Sequence, residues 1–243
     1  MPEKMNKVHQ RLLNWIKEKV LQAKARGIVL GLSGGVDSSL VAVLAVEALG
    51  KENVLGLFLP CNSDPDDLVD AEILARKLKI RTAFLNLSPI YTNLLKILPK
   101  GDLLSQANLK PRLRMMILYY YANMLNYLVA GTGNKSEISV GYFTKYGDGA
   151  ADILPLGDFY KSEVKKLAAL VGVPKHIINK VPSAGLWKGQ TDENEMGITY
   201  PELEKILIAL EKREKTQGKK VAKVKRMVQK AQHKLKMAEV FRK

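Results

Sequence analysis

The stretch Gly27-Ile28-Val29-Leu30-Gly31-Leu32, running directly into Ser33-Gly34-Gly35-Val36-Asp37-Ser38-Ser39 and then into the apolar Leu40-Val41-Ala42-Val43-Leu44-Ala45-Val46, decides the fold. The first six residues are apolar or glycine without alternation, as in a parallel strand buried on both faces. A tight turn and a helix N-terminus follow. Two glycines let the backbone approach a ligand, the hydroxyls of Ser33, Ser38 and Ser39 line the turn, and the first helical turn offers unpaired N–H groups, which together cradle an anion. A phosphate chain fits that cradle. Asp37 would repel it unless a divalent cation lay between them, so the loop implies Mg²⁺. The plainer reading makes Asp37 a partner of the helix dipole and leaves the glycines to serve only the turn. The spacing is neither Gly-Lys-[Ser/Thr] nor GxGxxG, which excludes a Walker A loop and the dinucleotide fingerprint.

Outward from this loop, four more segments read as buried strands: 53–59 (NVLGLFL), 80–87 (IRTAFLNL), 127–132 (YLVAGT) and the short 152–156 (DILPL). Helical stretches at 37–49, 65–79, 111–126 and 158–171 lie between and after them, behind an opening helix at 3–25 in which Leu12, Ile16 and Val20 recur every four residues. Asp64 and Pro65 mark the start of one of these helices, and Asp158 is expected to cap another. Alternating strands and helices predict an α/β fold with a doubly wound, five-stranded parallel sheet, in which ligands bind beyond the carboxyl ends of the strands. No internal repeat or dividing linker appears, so residues 1–243 are expected to form one domain.

Across 243 residues, 39 Lys+Arg against 24 Asp+Glu give a net charge of +15, with 47% hydrophobic residues. That composition can bury a core and excludes a disordered or collagen-like chain. Residues 211–243 carry 13 Lys+Arg and three Glu, a net +10, so the basicity belongs mostly to a C-terminal, helical segment. It reads either as a surface for anions, whether nucleic acid, nucleotide phosphates or an acidic partner, or as a solvated helix face. Cys61 is the one cysteine, which excludes a disulfide framework and fits a reducing compartment. His9, His176 and His233 are too far apart in sequence to suggest a zinc hydrolase. The stretch MPEKMNKVHQ has no apolar core of signal-peptide length and the longest apolar run, Leu40 to Val46, falls far short of the ~18 residues of a membrane span, so a soluble cytoplasmic protein is expected.

Further motifs narrow the chemistry. Gly131-Thr132-Gly133-Asn134-Lys135-Ser136-Glu137 again opens the backbone at a strand end, and Glu137 could complete the shell of an ion held by Asp37 or simply face a helix dipole. Gly141-Tyr142-Phe143-Thr144-Lys145-Tyr146-Gly147-Asp148-Gly149-Ala150-Ala151-Asp152 has no helical period and reads as a loop organised around a ligand. The polar segment from Pro182 to Glu193, hinged by glycines around Trp187, is either a lid or a flexible connector.

The SGGVDSS loop resembles the pyrophosphate loop of ATP pyrophosphatases, which activate a carboxylate or carbonyl oxygen as an adenylate. Taken in order, SGGVDSS, GTGNKSE, GYFTKYGDGAAD, the Lys161 helix and PSAGLWKGQTDE resemble ammonia-dependent NAD⁺ synthetase over residues 7–237. That resemblance implies a Rossmann-like fold of the adenine nucleotide α-hydrolase kind and a ligase forming a C–N bond. ATP would activate the nicotinate carboxylate of deamido-NAD⁺, and ammonia would complete NAD⁺, the last step of its biosynthesis, with AMP and pyrophosphate released.

By the same resemblance, Gly31, Leu32, Ser33, Gly34, Gly35, Val36, Asp37 and Ser38, with Thr132, Lys161 and Ser183, would hold ATP. Asp37 and Glu137 would hold Mg²⁺. Arg112, Lys145, Asp152, His233 and Lys234 would contact deamido-NAD⁺, and Asp148 would lie near a second metal or the incoming ammonia. Asp37, Lys161 and Asp148 are the expected catalytic groups. Arg114, two residues beyond Arg112, cannot share its helix face and receives no role. Because glutamine-dependent relatives carry an added amidase domain with a catalytic cysteine, the expected nitrogen source here is free ammonia or ammonia supplied by a separate protein. The family's homodimeric state is expected too, with the Tyr119-Tyr120-Tyr121 run serving either an interface or the core. Two rivals remain: another adenylating enzyme, including one that acts on tRNA, for which the missing cysteines speak against thiolation, and a non-catalytic nucleotide sensor on the same fold.

Overall fold

The computed structural model describes residues 2–242. Four parallel strands, β1 (Gly27–Gly31), β2 (Val54–Phe58), β3 (Arg81–Phe84) and β4 (Tyr127–Val129), form one sheet in the order β3-β2-β1-β4. β1 therefore lies between two neighbours reached in opposite directions, with Ile28 paired to Val54 on one side and to Leu128 on the other. This is the switch point at which an open α/β sheet presents its crevice.

The expected fifth strand at 152–156 contracts to a single parallel bridge between Ala130 and Ile153. Asp152 and Ile153 both donate their amides to Val129 O, but Pro155 has no N–H with which to extend a ladder. β3 also departs from expectation. It is the open edge of the sheet, and Arg81, Thr82 and Phe84 face solvent instead of being buried on both faces.

Helices cover both faces. On one, α1 (Pro2–Gln22), α2 (Val36–Leu49), α3 (Pro65–Leu78), α8 (Lys161–Leu170) and α9 (Lys175–Asn179) enclose a core built on Ile16, Leu30, Leu44 and Leu167. α2 is apolar all round because it is buried between α1 and α8. On the other face, α4 (Ser88–Ile97), α5 (Leu103–Ala107) and α6 (Leu109–Leu125) accompany a second core around Leu57, Leu87, Leu118 and Val129.

A third apolar cluster, including Val140, Met196, Leu203 and Val224, gathers α7 (Lys135–Val140), α10 (Asp192–Met196), α11 (Tyr200–Glu211) and α12 (Lys219–Leu235) at the crevice end of the molecule. α12 is the helical part of the basic C-terminal segment. It lies close against Gly141, whose φ of +69° ends α7 and where an added Cβ would stand 2.8 Å from Ala231 Cβ.

Asp64 caps α3 as expected, accepting the Asp66 amide at 3.0 Å. Asp158 does not cap the Lys161 helix. That helix begins at Lys161, Glu163 accepts the Tyr160 amide at 2.9 Å, and Asp158 instead accepts an ion pair from Lys135 at 3.0 Å. α6 starts at Leu109, two residues before the expected Pro111, because a proline at the third helical position lacks only an amide that would have no partner.

Leu44, on α2, is fully buried in the first core. Leu44→Ala should lower unfolding stability by about 2–5 kcal/mol, read as an earlier urea midpoint at unchanged slope.

Candidate active site

The exits of β1 and β4 open into a cleft of about 1230 Å³. Its floor is the serine-glycine turn. Ser33 and Ser38 hydroxyls lie 2.9 Å apart, Gly35 N donates to Ser33 Oγ at 3.3 Å, and Ser38 Oγ donates to Gly35 O at 3.1 Å. Gly34 sits at φ +76°, and a Cβ there would fall 2.1 Å from Asp67 O, so any side chain would push the turn off α3. No side chain caps the first amides of α2, which leaves them free to face an anion. Ser39 points inward, its hydroxyl buried without a partner.

At the wall, Lys161 Nζ donates to Asp37 Oδ2 at 2.6 Å and to Glu137 Oε1 at 3.2 Å. Three segments meet at that ammonium: the turn after β1, the start of α7 and the start of α8. Asn134 fixes both carboxylates. Its Nδ2 donates to Asp37 Oδ1 at 2.9 Å, its Oδ1 accepts the Glu137 amide at 3.1 Å, and its own amide donates to Glu137 Oε2 at 3.2 Å, a reciprocal cap.

Asp192, from the lid side, stands behind them. Its Oδ2 accepts from Tyr200 Oη at 2.8 Å, Tyr200 Oη also reaches Glu137 Oε1 at 3.2 Å, and its Oδ1 is buried without a partner. Burial pushes the Glu137 carboxyl up to about 7 against the pull of Lys161, with Asp37 and Asp192 adding to the rise. Burial works to lower the Lys161 ammonium, but Asp37 and Glu137 outweigh it and hold the group charged.

Three carboxylates against one lysine leave an excess of negative charge among oxygen donors, and this suits a hard divalent cation. Among the described residues no group of three or more His, Cys, Asp or Glu is arranged as a complete metal site. Asp37 and Glu137 fit the pattern of Mg²⁺ held by one or two carboxylates with substrate phosphates completing its shell.

Glu204 supports the wall from behind. It accepts from Ser136 Oγ at 3.0 Å and from the Ser162 amide at 3.1 Å, and Ser136 Oγ accepts the Lys161 amide at 3.0 Å.

Of the residues expected around ATP, Gly31, Leu32, Ser33, Gly35, Val36, Asp37, Ser38, Thr132, Lys161 and Ser183 line the cleft, and Gly34 shapes its turn from beneath. Asp148 and Lys234 line it as well. Asp148 accepts the Thr144 amide at 2.9 Å, and Lys234 Nζ donates to Gly141 O at 2.7 Å and Phe143 O at 2.8 Å.

Arg112, Lys145, Asp152 and His233 lie outside the cleft. Arg112 Nε donates to Lys145 O at 3.3 Å and Lys145 Nζ to His233 O at 2.6 Å, which joins three of them in a strip beside it. Asp152 is engaged by the Val129 amide at 2.7 Å and Tyr119 Oη at 3.2 Å.

The 182–193 segment is anchored just ahead of its start and again at Leu186. Lys180 bridges Asp67 at 2.6 Å and Asp70 at 2.7 Å, and the buried Lys110 donates to Leu186 O at 2.6 Å.

Fold and cleft together define a nucleotide-binding α/β protein whose phosphate turn is of the serine-glycine-aspartate kind. A sequence model of NAD synthase matches residues 8–238, and the chain belongs to the NAD synthase family. An NH₃-dependent NAD⁺ synthetase of Archaeoglobus fulgidus is 49% identical over 238 residues, which cover 97% of this chain and 96% of the relative. Among solved structures, an NMN synthetase from Francisella tularensis superposes with a TM-score of 0.90 at 40% identity, covering 99% of this chain and 98% of that one. An NH₃-dependent NAD synthetase from Campylobacter jejuni superposes with a TM-score of 0.86 at 34% identity, over 98% and 99% of the two chains.

Lys161→Met would leave Asp37, Glu137 and Asp192 facing one another without their shared cation. It should cost about 3–5 kcal/mol of unfolding stability by urea titration, and Mg²⁺ should restore more stability to this variant than it adds to the parent protein.

Proposed function

We propose that this chain amidates deamido-NAD⁺ with ammonia at the expense of ATP, giving NAD⁺, AMP and pyrophosphate in the final step of NAD⁺ biosynthesis. The observation that carries the reading is the Asp37–Lys161–Glu137 junction at the end of an uncapped phosphate turn, in a member of the NAD synthase family.

Gly31 to Ser38, with Thr132 and Ser183, hold the triphosphate. Asp37 and Glu137 would hold Mg²⁺, which would supply charge neutralisation at the phosphates. Lys161 brings an ammonium to the same place, so charge building up on the α-phosphate meets fixed positive groups instead of reorganising water. A nicotinate carboxylate oxygen bonds to the α-phosphorus as the bond to the pyrophosphate oxygen breaks. Ammonia then attacks the adenylated carbonyl carbon, AMP leaves, and the surplus proton goes to a carboxylate, for which Asp148 at the cleft wall is the candidate. Arg112, Lys145, Asp152, His233 and Lys234 form the dinucleotide's side of the site.

The likeness to the Francisella protein supports a second reading, in which the amidated acceptor is the corresponding mononucleotide. One assay separates the two. Protein with ATP, Mg²⁺ and ammonium is offered deamido-NAD⁺ or nicotinic acid mononucleotide, and products are resolved by chromatography. The expected products are NAD⁺ and AMP, with the dinucleotide preferred in kcat/KM. Formation of ADP would overturn the whole proposal. Asp37→Ala should lower kcat by roughly 100-fold or more, the scale of losing one preorganised electrostatic group.

The working unit is proposed to be a homodimer, with residues 1–243 as one domain in each protomer. Arg112, Met116, Tyr120 and Met124 recur every four residues as an exposed stripe on α6, with Ile97 and Leu103 exposed on the neighbouring helices. The stripe starts at an expected dinucleotide contact, which suits a substrate seated near the subunit boundary. Tyr120→Glu should turn a dimer into a folded monomer in light-scattering chromatography. A monomeric parent protein would remove this part.

Among the described residues no helix is long and apolar enough to cross a membrane. With the free Cys61, this supports placing the reaction in the cytoplasm. No nucleic-acid partner is proposed; Lys234, near the end of α12, donates to two carbonyls of the cleft loop.

A further inference from the structure

Arg114 has no assigned role, yet it enters the cleft that Arg112 avoids. It lies one turn beyond Lys110 on the inward face of α6, so the helix presents two cations on the cleft side of the molecule. Lys110 is used up on the lid carbonyl of Leu186 and on the ring of Tyr91, 5.2 Å away. Arg114 is not used up. Nε donates to Leu59 O at 3.1 Å and Nη2 to Ser63 Oγ at 3.1 Å, both at the exit of β2. A guanidinium has five N–H donors, so three of them have no protein partner among the described residues, in a side chain that lines the cleft.

Neither acceptor is charged, and Arg114 makes no ion pair among the described residues. Asp67 and Asp148 act on it only through space. A cation held in a partly buried wall against neutral oxygens is stable chiefly when an anion completes it, and a guanidinium fork matches carboxylate and phosphate oxygens in pairs.

We propose that Arg114 is an anion receptor of the cleft, taking an anionic oxygen of a bound substrate opposite the serine-glycine turn while its other edge holds the β2 exit in place. This rests on the amidation reading, which supplies two anions of suitable chemistry: a phosphate of ATP and the carboxylate or diphosphate of the deamidated acceptor. Lysine could carry the charge but not the paired geometry, and glutamine could keep the hydrogen bond to Leu59 O without the charge.

The test measures binding of ATP alone and of deamido-NAD⁺ alone by calorimetry, with the full-length parent protein, Arg114→Gln and Arg114→Lys, each checked by its melting temperature. Arg114→Gln should weaken one ligand by roughly 10- to 100-fold, the scale of a lost charge-assisted hydrogen bond, while leaving the other within about twofold. Arg114→Lys should recover part of the loss. The ligand that weakens identifies the source of the anion, and the KM of that substrate should rise with it. Both ligands staying within about twofold would overturn the proposal, and so would equal weakening of both, which would make Arg114 a prop for residues 59–63 only. Turnover by the parent protein is scored separately, so a failed amidation with a clear ATP result is told apart from a failed receptor.

Discussion

The site depends on one buried contact, the ammonium of Lys161 held between the carboxylates of Asp37 and Glu137. Each member comes from a different crossover, and none would be placed without the sheet beneath it. β1 aims Asp37, β4 aims the Asn134 cap that sets Glu137, and the 153–160 loop delivers Lys161 at the first turn of α8. Bringing three carboxylates together without bulk water is unfavourable unless a cation is shared, and the upward displacement of Glu137 is the trace of that tension. The cluster is left short of positive charge, which is the electrostatic condition that the proposed Mg²⁺ would relieve.

Support for this junction comes from parts of the chain remote in sequence. Glu204 of α11 holds the starts of both α7 and α8 through Ser136 and Ser162, and Tyr200 links Glu137 to Asp192. The helices of the C-terminal third thereby act as a backing plate for the catalytic wall. Their packing on Val140 and Met196 rather than on the sheet explains why they form a core of their own.

Much of this was legible in the sequence, for definite physical reasons. Non-alternating apolar runs mark buried parallel strands, and Gly-Gly-Val-Asp after the first of them marks the turn, so the doubly wound sheet and the place of the crevice at the exit of β1 follow directly. The fifth strand was overread because DILPL has the composition of a strand while Pro155 denies it a ladder. β3 was assigned two buried faces because its composition does not reveal that it ends the sheet. Asn134 had a signal, an asparagine three residues before a glutamate, which is the pattern of a reciprocal cap. Asp192 lies inside the PSAGLWKGQTDE motif but has no role of its own in it, and Glu204 and Arg114 have no signal at all. Glu204 reaches Ser136 across 68 residues and Arg114 reaches Leu59 across 55, and Arg112 and Arg114 look alike until the helix turns one outward and the other in.

The unequal margins of the sheet carry a last implication. One side is closed off by the chain leaving Ile153, while β3 on the other side is only four residues long, with Phe84 bare and Arg81 turned back to Tyr127. The β3 margin therefore offers a row of backbone groups to intermolecular strand addition during synthesis or heating. Its brevity and the guanidinium posted there act against such addition.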